Sequence, residues 1–304
     1  MIGPQLVAGW LIIKTAKEAS LKDIGPKFSD TQLGNHPWEW IPKNFDNFLQ
    51  ELNEIISRCK EMNHLLLFRG HRDRRWLLDS TFVRSYKTLI FGIQPWEKLR
   101  ENFRLSTTLQ QIVLNLFLFK FGGWTIPSDD LCAIAEREGV DPWFELMKRL
   151  QQFPEIDTLP VKGTFLIDWT QNPDVALHFA NDLRQGDGVL WICDATATGK
   201  TLHRDITVGE ILEKMKVGGS TDSSMGAPLI FHPRKQIGYK RASNQNPVYV
   251  AQMDLRVDLI EVWNNLQNER ERILIKLVLP AETTEECQIY LKKNGIDRNL
   301  LFPA

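Results

Sequence analysis

The chain has 304 residues, 43% hydrophobic and 25% charged, which supplies one large core or two modest ones and excludes disorder as a global description. Its 37 Lys and Arg stand against 38 Asp and Glu, a formal charge of -1, so the whole molecule carries no electrostatic footprint for nucleic acid or an anionic membrane, and any basic site must be local. The 4 cysteines, Cys59, Cys132, Cys193 and Cys287, form no CxxC pair, and the 6 histidines include no pair at helical ligand spacing; this argues against a zinc knuckle or disulfide framework and implies no metal site.

The opening MIGPQLVAGWLIIKTAKEAS has a short apolar run whose alternation suits a strand, and it lacks the cleavage site of a signal peptide. No stretch approaches the roughly 18 apolar residues that span a bilayer, so no membrane association and a cytoplasmic location are expected. Residues 1–44 are expected to be an N-terminal extension packed on the core. FDNFLQELNEIISRCKEM, residues 45–62, places apolar side chains at helical spacing, and HLLLFRG then turns into a buried strand ending in glycine. The spacing predicts a long helix over 96–121, stopped by Gly122-Gly123 and Pro127, and shorter helices over 128–138 and 141–152. Together these make a helical insertion over about 96–152.

From Gly163 the pattern changes to strand, helix, strand: TFLIDW, the proline-started NPDVALHFANDL, and GVLWICD. TVGEILEKMK reads as a helix and GGSTDSSMG as a loop. PVYVAQMDL and RILIKLVL read as strands. PAETTEECQIYLKKNG reads as a helix with early carboxylates, late lysines and a glycine stop. The fold class expected is α+β: a central mixed or antiparallel sheet in a domain spanning 45–304, interrupted by the helical insertion.

Three groups of residues suggest chemistry. Arg69 ends four consecutive apolar residues, as if at a sheet edge facing a cleft. Its planar guanidinium can hold a phosphate bidentately while Gly70 admits a close backbone approach. The structural alternative is an ion pair with Asp73 or Asp79. Asp168-Trp169-Thr170, followed by Asn172-Pro173, puts a carboxylate and a hydroxyl at a strand-to-helix junction where ligands collect; helix capping by Thr170 or Asn172, and a buried Asp168 bonded to amides, are the plainer readings. Arg241 and Gln245 lie four residues apart before a strand, where a Gln can orient a ribose or satisfy a turn. His178 is expected to be packed.

Other patterns fail on inspection. The stretch from Asp194 (DATATGKT) has Asp194 where a phosphate loop needs glycine, and His71-Arg72-Asp73 and His203-Arg204-Asp205 lack the downstream asparagine of a kinase loop. A nuclease or glycosidase built on Asp168 lacks a second carboxylate in a recognisable motif. His71-Arg72-Asp73-Arg74-Arg75 is either a local nucleic-acid patch or a solvated turn.

In this order, the pieces resemble the FRG domain family over roughly residues 45–303. Phe68-Arg69-Gly70 is similar to the name-giving motif, and Trp76, Leu78, Ser80 and Arg84 to the segment after it. Leu166-Ile167-Asp168-Trp169-Thr170, Asn172-Pro173, Ala176-Leu177 and Phe179-Ala180 resemble the family's most specific signature. Arg241, Gln245 and Tyr249 fall at its later positions, and Gly295-Ile296 and Leu301-Phe302-Pro303 at its terminal block. Phe165 stands where the family has arginine, and Asn246-Pro247 where it has Gln-Gly. The layout also resembles that of ADP-ribosyltransferases.

The resemblance implies an ADP-ribosyltransferase-like sheet and a reaction with NAD as substrate, modifying a protein or nucleic acid in a toxin or antiphage-defence setting, with an antitoxin or regulatory partner. Asp168, Thr170 and Gln245 would be catalytic, and Arg69, Gly70, Arg241 and Trp169 would bind the dinucleotide. Gln245 would take the place of the catalytic glutamate, and Asp168 would supply the charge that an amide lacks. The alternative is a nucleotide- or partner-binding module without chemistry.

Overall fold

The computed structural model describes residues 25–36, 38–84, 164, 166–196, 229–231, 244–252, 258–266 and 273–302. The expected helical insertion, the TVGEILEKMK helix, the loop after it, Cys132 and Arg241 lie outside the described residues. Within them the fold is α+β around one mixed eight-stranded sheet.

The first two strands, β1 (Thr31–Leu33) and β2 (Glu39–Pro42), form an antiparallel pair, and β2 adds to the sheet by a parallel ladder to the last strand, β8 (Leu274–Leu279). The described part of the N-terminal extension is therefore the margin of the sheet. Asn44 then caps α1 (Phe45–Glu61), its side chain accepting from the Asn47 amide at 2.9 Å. One stripe of that helix, with Phe48, Leu52 and Ile55, is buried against the sheet.

The central strands are the mainly apolar segments β3 (Leu66–His71), β4 (Leu166–Thr170), β5 (Gly188–Asp194), β7 (Pro247–Ala251) and β8 (Leu274–Leu279), broken by charges only at Arg69, Asp168, Lys276 and the terminal Asp194; the short β6 (Leu229–Phe231) lies beside β7, and the order across the sheet is β1-β2-β8-β5-β3-β4-β7-β6. Burial on both faces requires such runs. On one face Leu66, Phe68, Leu190, Ile192 and Ile275 pack under α1, α2 (Pro173–Asn181) and α4 (Thr284–Lys293). On the other, Leu67, Ile167, Trp169, Trp191 and Val250 pack with Leu259 and Trp263 of α3 (Leu259–Leu266). The short α5 (Arg298–Leu301) follows the turn at Gly295, whose φ of +73° is the left-handed conformation that glycine tolerates.

Two expectations change. Arg69 is not on an edge strand, because β3 is paired with β5 on one side and β4 on the other. The helix expected from Pro280 begins with a 3-10 turn, Ala281–Thr283, before α4. Among the described residues no helix is long and apolar enough to cross a membrane. Cys59, Cys193 and Cys287 are buried free thiols, and burial pushes Cys59 and Cys287 up to about 12, which keeps them protonated and unreactive at neutral pH.

Candidate functional site

Six positions of β3 pair with β5, from Leu66 opposite Asp194 to His71 opposite Val189, but its ladder with β4 has the single pair Phe68–Thr170. Past that pair the two strands separate. A cavity of about 350 Å³ opens there, within the range of small-molecule sites. Arg69, Gly70, Asp168, Trp169, Thr170 and Gln245 all line it, so three segments spread over more than 170 positions of chain converge on one concave site.

Arg69 spans the separation. Its Nη1 donates to the Asp168 carbonyl oxygen on β4, and its Nε lies 3.0 Å from His71 Nε2. No carboxylate forms an ion pair with it among the described residues. The carboxylates proposed as its structural partners are engaged elsewhere: Asp73 holds Arg75 at 2.7 Å, and Asp79 accepts from Gln252 Nε2 at 2.9 Å. Burial draws the Arg69 guanidinium down to about 10, with Asp168 opposing and Arg84 adding to the fall, so it stays charged at neutral pH.

Arg84 is a second cation of the cavity, and spacing alone gave no sign that it would stand near Arg69. It is placed by a capped helical turn over 81–84, in which Ser80 Oγ accepts from the Val83 amide at 3.2 Å. Its guanidinium donates to the Asp79 carbonyl at 2.7 Å and to Thr81 Oγ1 at 3.1 Å, and burial lowers its pKa against the pull of Asp79. At the mouth, the Arg72 guanidinium lies 5.3 Å from the centre of the 41% exposed Trp76 ring. Phe179 of α2 completes an aromatic lining.

Asp168 is exposed, lines the cavity and acts electrostatically on Arg69, so the reading of it as a buried structural carboxylate does not hold. Thr170 has a structural duty: its hydroxyl donates to the Gln245 carbonyl at 2.8 Å and accepts from the Asn172 amide at 3.1 Å. That ties the end of β4 to the segment entering β7. Asn172, not Thr170, caps α2, accepting from the Asp174 amide at 2.9 Å. The Gln245 amide donates to the Leu301 carbonyl at 3.1 Å, so its NH₂ group is directed to α5 and the residue braces the wall it lines.

Gly70 departs furthest from its expected role. A Cβ there would lie 1.9 Å from the Ala176 carbonyl oxygen and 2.5 Å from the Ala180 nitrogen. The missing side chain makes room for α2, not for a ligand, although Gly70 remains on the cavity rim. Trp169 packs edge-on against Trp263 at 5.7 Å and is 2% exposed, and its Nε1 has no hydrogen-bond partner among the described residues.

The cationic turn after β3 is mostly neutralised. Arg74 reaches Glu39 at 3.0 Å and Asp187 at 3.4 Å, and Arg75 is held by Asp73. This favours the solvated-turn reading over a nucleic-acid stripe. Asp194, the residue that disqualified a phosphate loop, meets His64 at 2.6 Å. His178 stacks edge-on with Phe179 at 5.8 Å and does not line the cavity.

Compared with protein-family models, curated proteins and solved structures, the chain matches none of them. The cavity itself presents two guanidinium groups, a solvent-facing carboxylate and aromatic walls. Such a site suits an anion carrying a flat ring, with the guanidinium forks on phosphate oxygens and the rings on a base.

Proposed function

We propose that the chain is an FRG-domain protein whose cavity between β3 and β4 takes NAD and transfers ADP-ribose to a macromolecular acceptor, protein or nucleic acid. One observation carries this reading: the Arg69 guanidinium, without a carboxylate partner among the described residues, shares a cavity with Arg84 and with the solvent-facing Asp168. A pyrophosphate needs the first two groups, and a glycosyl transfer needs the third.

In this scheme Arg69 and Arg84 hold the pyrophosphate. The bond from the ribose C1′ to the nicotinamide nitrogen breaks, its electron pair leaving with nicotinamide, while the acceptor's nucleophilic atom bonds to C1′ and its proton passes to Asp168. The carboxylate also stabilises the oxocarbenium character that develops at C1′. Gln245 and Thr170 keep the wall in place, and the catalytic glutamate's part falls to Asp168 alone. An ADP-ribosyltransferase-like grouping of the fold, a toxin or antiphage-defence setting and an antitoxin partner accompany this reading through the family resemblance.

A binding module without turnover is the second reading, favoured by the Gln245 amide, which is neutral and already donates to Leu301. Incubation with NAD labelled on the adenylate separates the two. Transfer of label to a macromolecule, lost in Arg69→Ala and reduced about 10²–10³-fold in Asp168→Asn, is expected for the enzyme. Saturable binding without label transfer or nicotinamide release identifies the module instead.

A further inference from the structure

A neutral imidazole has one N–H and one acceptor lone pair, whereas a tryptophan N–H and an arginine Nε–H can only donate. His71 meets both. Trp191 Nε1 approaches its Nδ1 at 3.2 Å, and Arg69 Nε approaches its Nε2 at 3.0 Å. Burial, with the charges of Arg69 and Arg84, holds the ring well below the usual histidine range, while a bond to the Trp76 main chain favours a proton on the ring. The ring is neutral at physiological pH. Whichever nitrogen carries its proton, one of the two incoming donors faces an N–H where it needs a lone pair.

The two donors differ in freedom. Trp191 is fully buried in the core and flanked by Trp38 at 5.9 Å. Arg69 lines the cavity and pairs with no carboxylate among the described residues. The donor left short is therefore Arg69. A donor kept from water and left without an acceptor is costly, so this corner of the cavity favours a ligand that brings lone pairs.

We infer that His71 is a positioning residue that presents Arg69 one acceptor short, and that an anionic oxygen of the phosphate or pyrophosphate class completes the set by taking the guanidinium off the ring. This rests on the reading that the cavity holds a pyrophosphate-bearing ligand, but it requires binding alone and no transfer chemistry. A glutamine in place of His71 would offer a carbonyl oxygen with two lone pairs, enough for Trp191 and Arg69 together. That substitution would satisfy Arg69 internally and weaken its claim on a ligand.

The test is calorimetric titration of the full chain with inorganic pyrophosphate, wild type against His71→Gln, with a thermal melt of each. The expected result is about tenfold weaker binding by His71→Gln, equivalent to about 1.4 kcal/mol, with a melting temperature equal to or above wild type. Equal affinities, or wild-type protein that binds no pyrophosphate, would overturn the inference. If His71→Gln does not fold, ¹⁵N-histidine spectra of the wild type decide: a neutral ring whose nitrogen shifts move on adding pyrophosphate supports it, and shifts that stay fixed overturn it. Pyrophosphate binding without NAD turnover would leave this inference standing and sink only the transfer reaction.

Discussion

Gly70 and Thr170 show how a residue can sit in a site for structural reasons. Gly70→Ala would drive a methyl group into the Ala176 carbonyl, where 1.9 Å is available. The loss expected is about 3 kcal/mol or more, at the upper end of overpacking costs, read as a fall in denaturant midpoint at unchanged slope. Thr170→Val keeps the shape but removes a donor to Gln245 and an acceptor for Asn172. An expected cost of about 1–2 kcal/mol in the same unfolding experiment marks the hydroxyl as a brace; unchanged stability with lost NAD turnover would mark it as catalytic. The residue types in the site were legible because Arg69 and Asp168 interrupt apolar runs, where a charge calls for a reason. Their partners were not. Thr170 bonds a carbonyl 75 positions away, and Arg84 reaches the cavity through a helical turn that no periodicity tied to Arg69.

At the scale of elements, the attachment of the β1–β2 pair depends on one buried carboxylate. Glu39, 3% exposed, accepts from Arg74 at 3.0 Å and Lys276 at 2.8 Å. Burial alone would raise its pKa; the hydrogen bonds and charges of Arg74 and Lys276 prevail and hold it at about 2 against an ordinary 4.5. A depressed carboxylate contributes stability that is full above the unfolded value and is lost as pH falls from about 4.5 towards 2. The shift corresponds to about 3 kcal/mol. Unfolding free energies of wild type and Glu39→Gln should therefore differ most at pH 7 and converge near pH 2; a difference independent of pH would place the stabilisation in packing. Elements were legible where the chain carries a long signal, as in the fully buried GVLWICD strand or the amphipathic α1. β1, β2 and β6 have three or four residues each, and β2 is a strand because β8 accepts it in parallel, a tertiary fact. α3 was also missed, although Leu259, Val262 and Trp263 have helical spacing, because the segment is only eight residues long.

For the whole molecule, the sheet order decides what meets what. β3 lies between β5 and β4, so the Arg69 strand is held rigidly on one side by a six-residue ladder and nearly unpaired on the other. A site on such a seam combines fixed geometry with open space. The α+β class and the central sheet followed from patterning, but the seam did not, because Arg69 and Asp168 mark charges in two strands without showing that those strands are neighbours whose ladder is limited to Phe68–Thr170. A co-crystal structure of the full chain with ADP-ribose tests the seam most directly. The expected result places the pyrophosphate on Arg69 and Arg84, with Arg69 Nε withdrawn from His71 and Asp168 beside the terminal ribose. Ligand bound elsewhere, or Arg69 still resting on His71 with the seam closed beside it, would contradict the assignment.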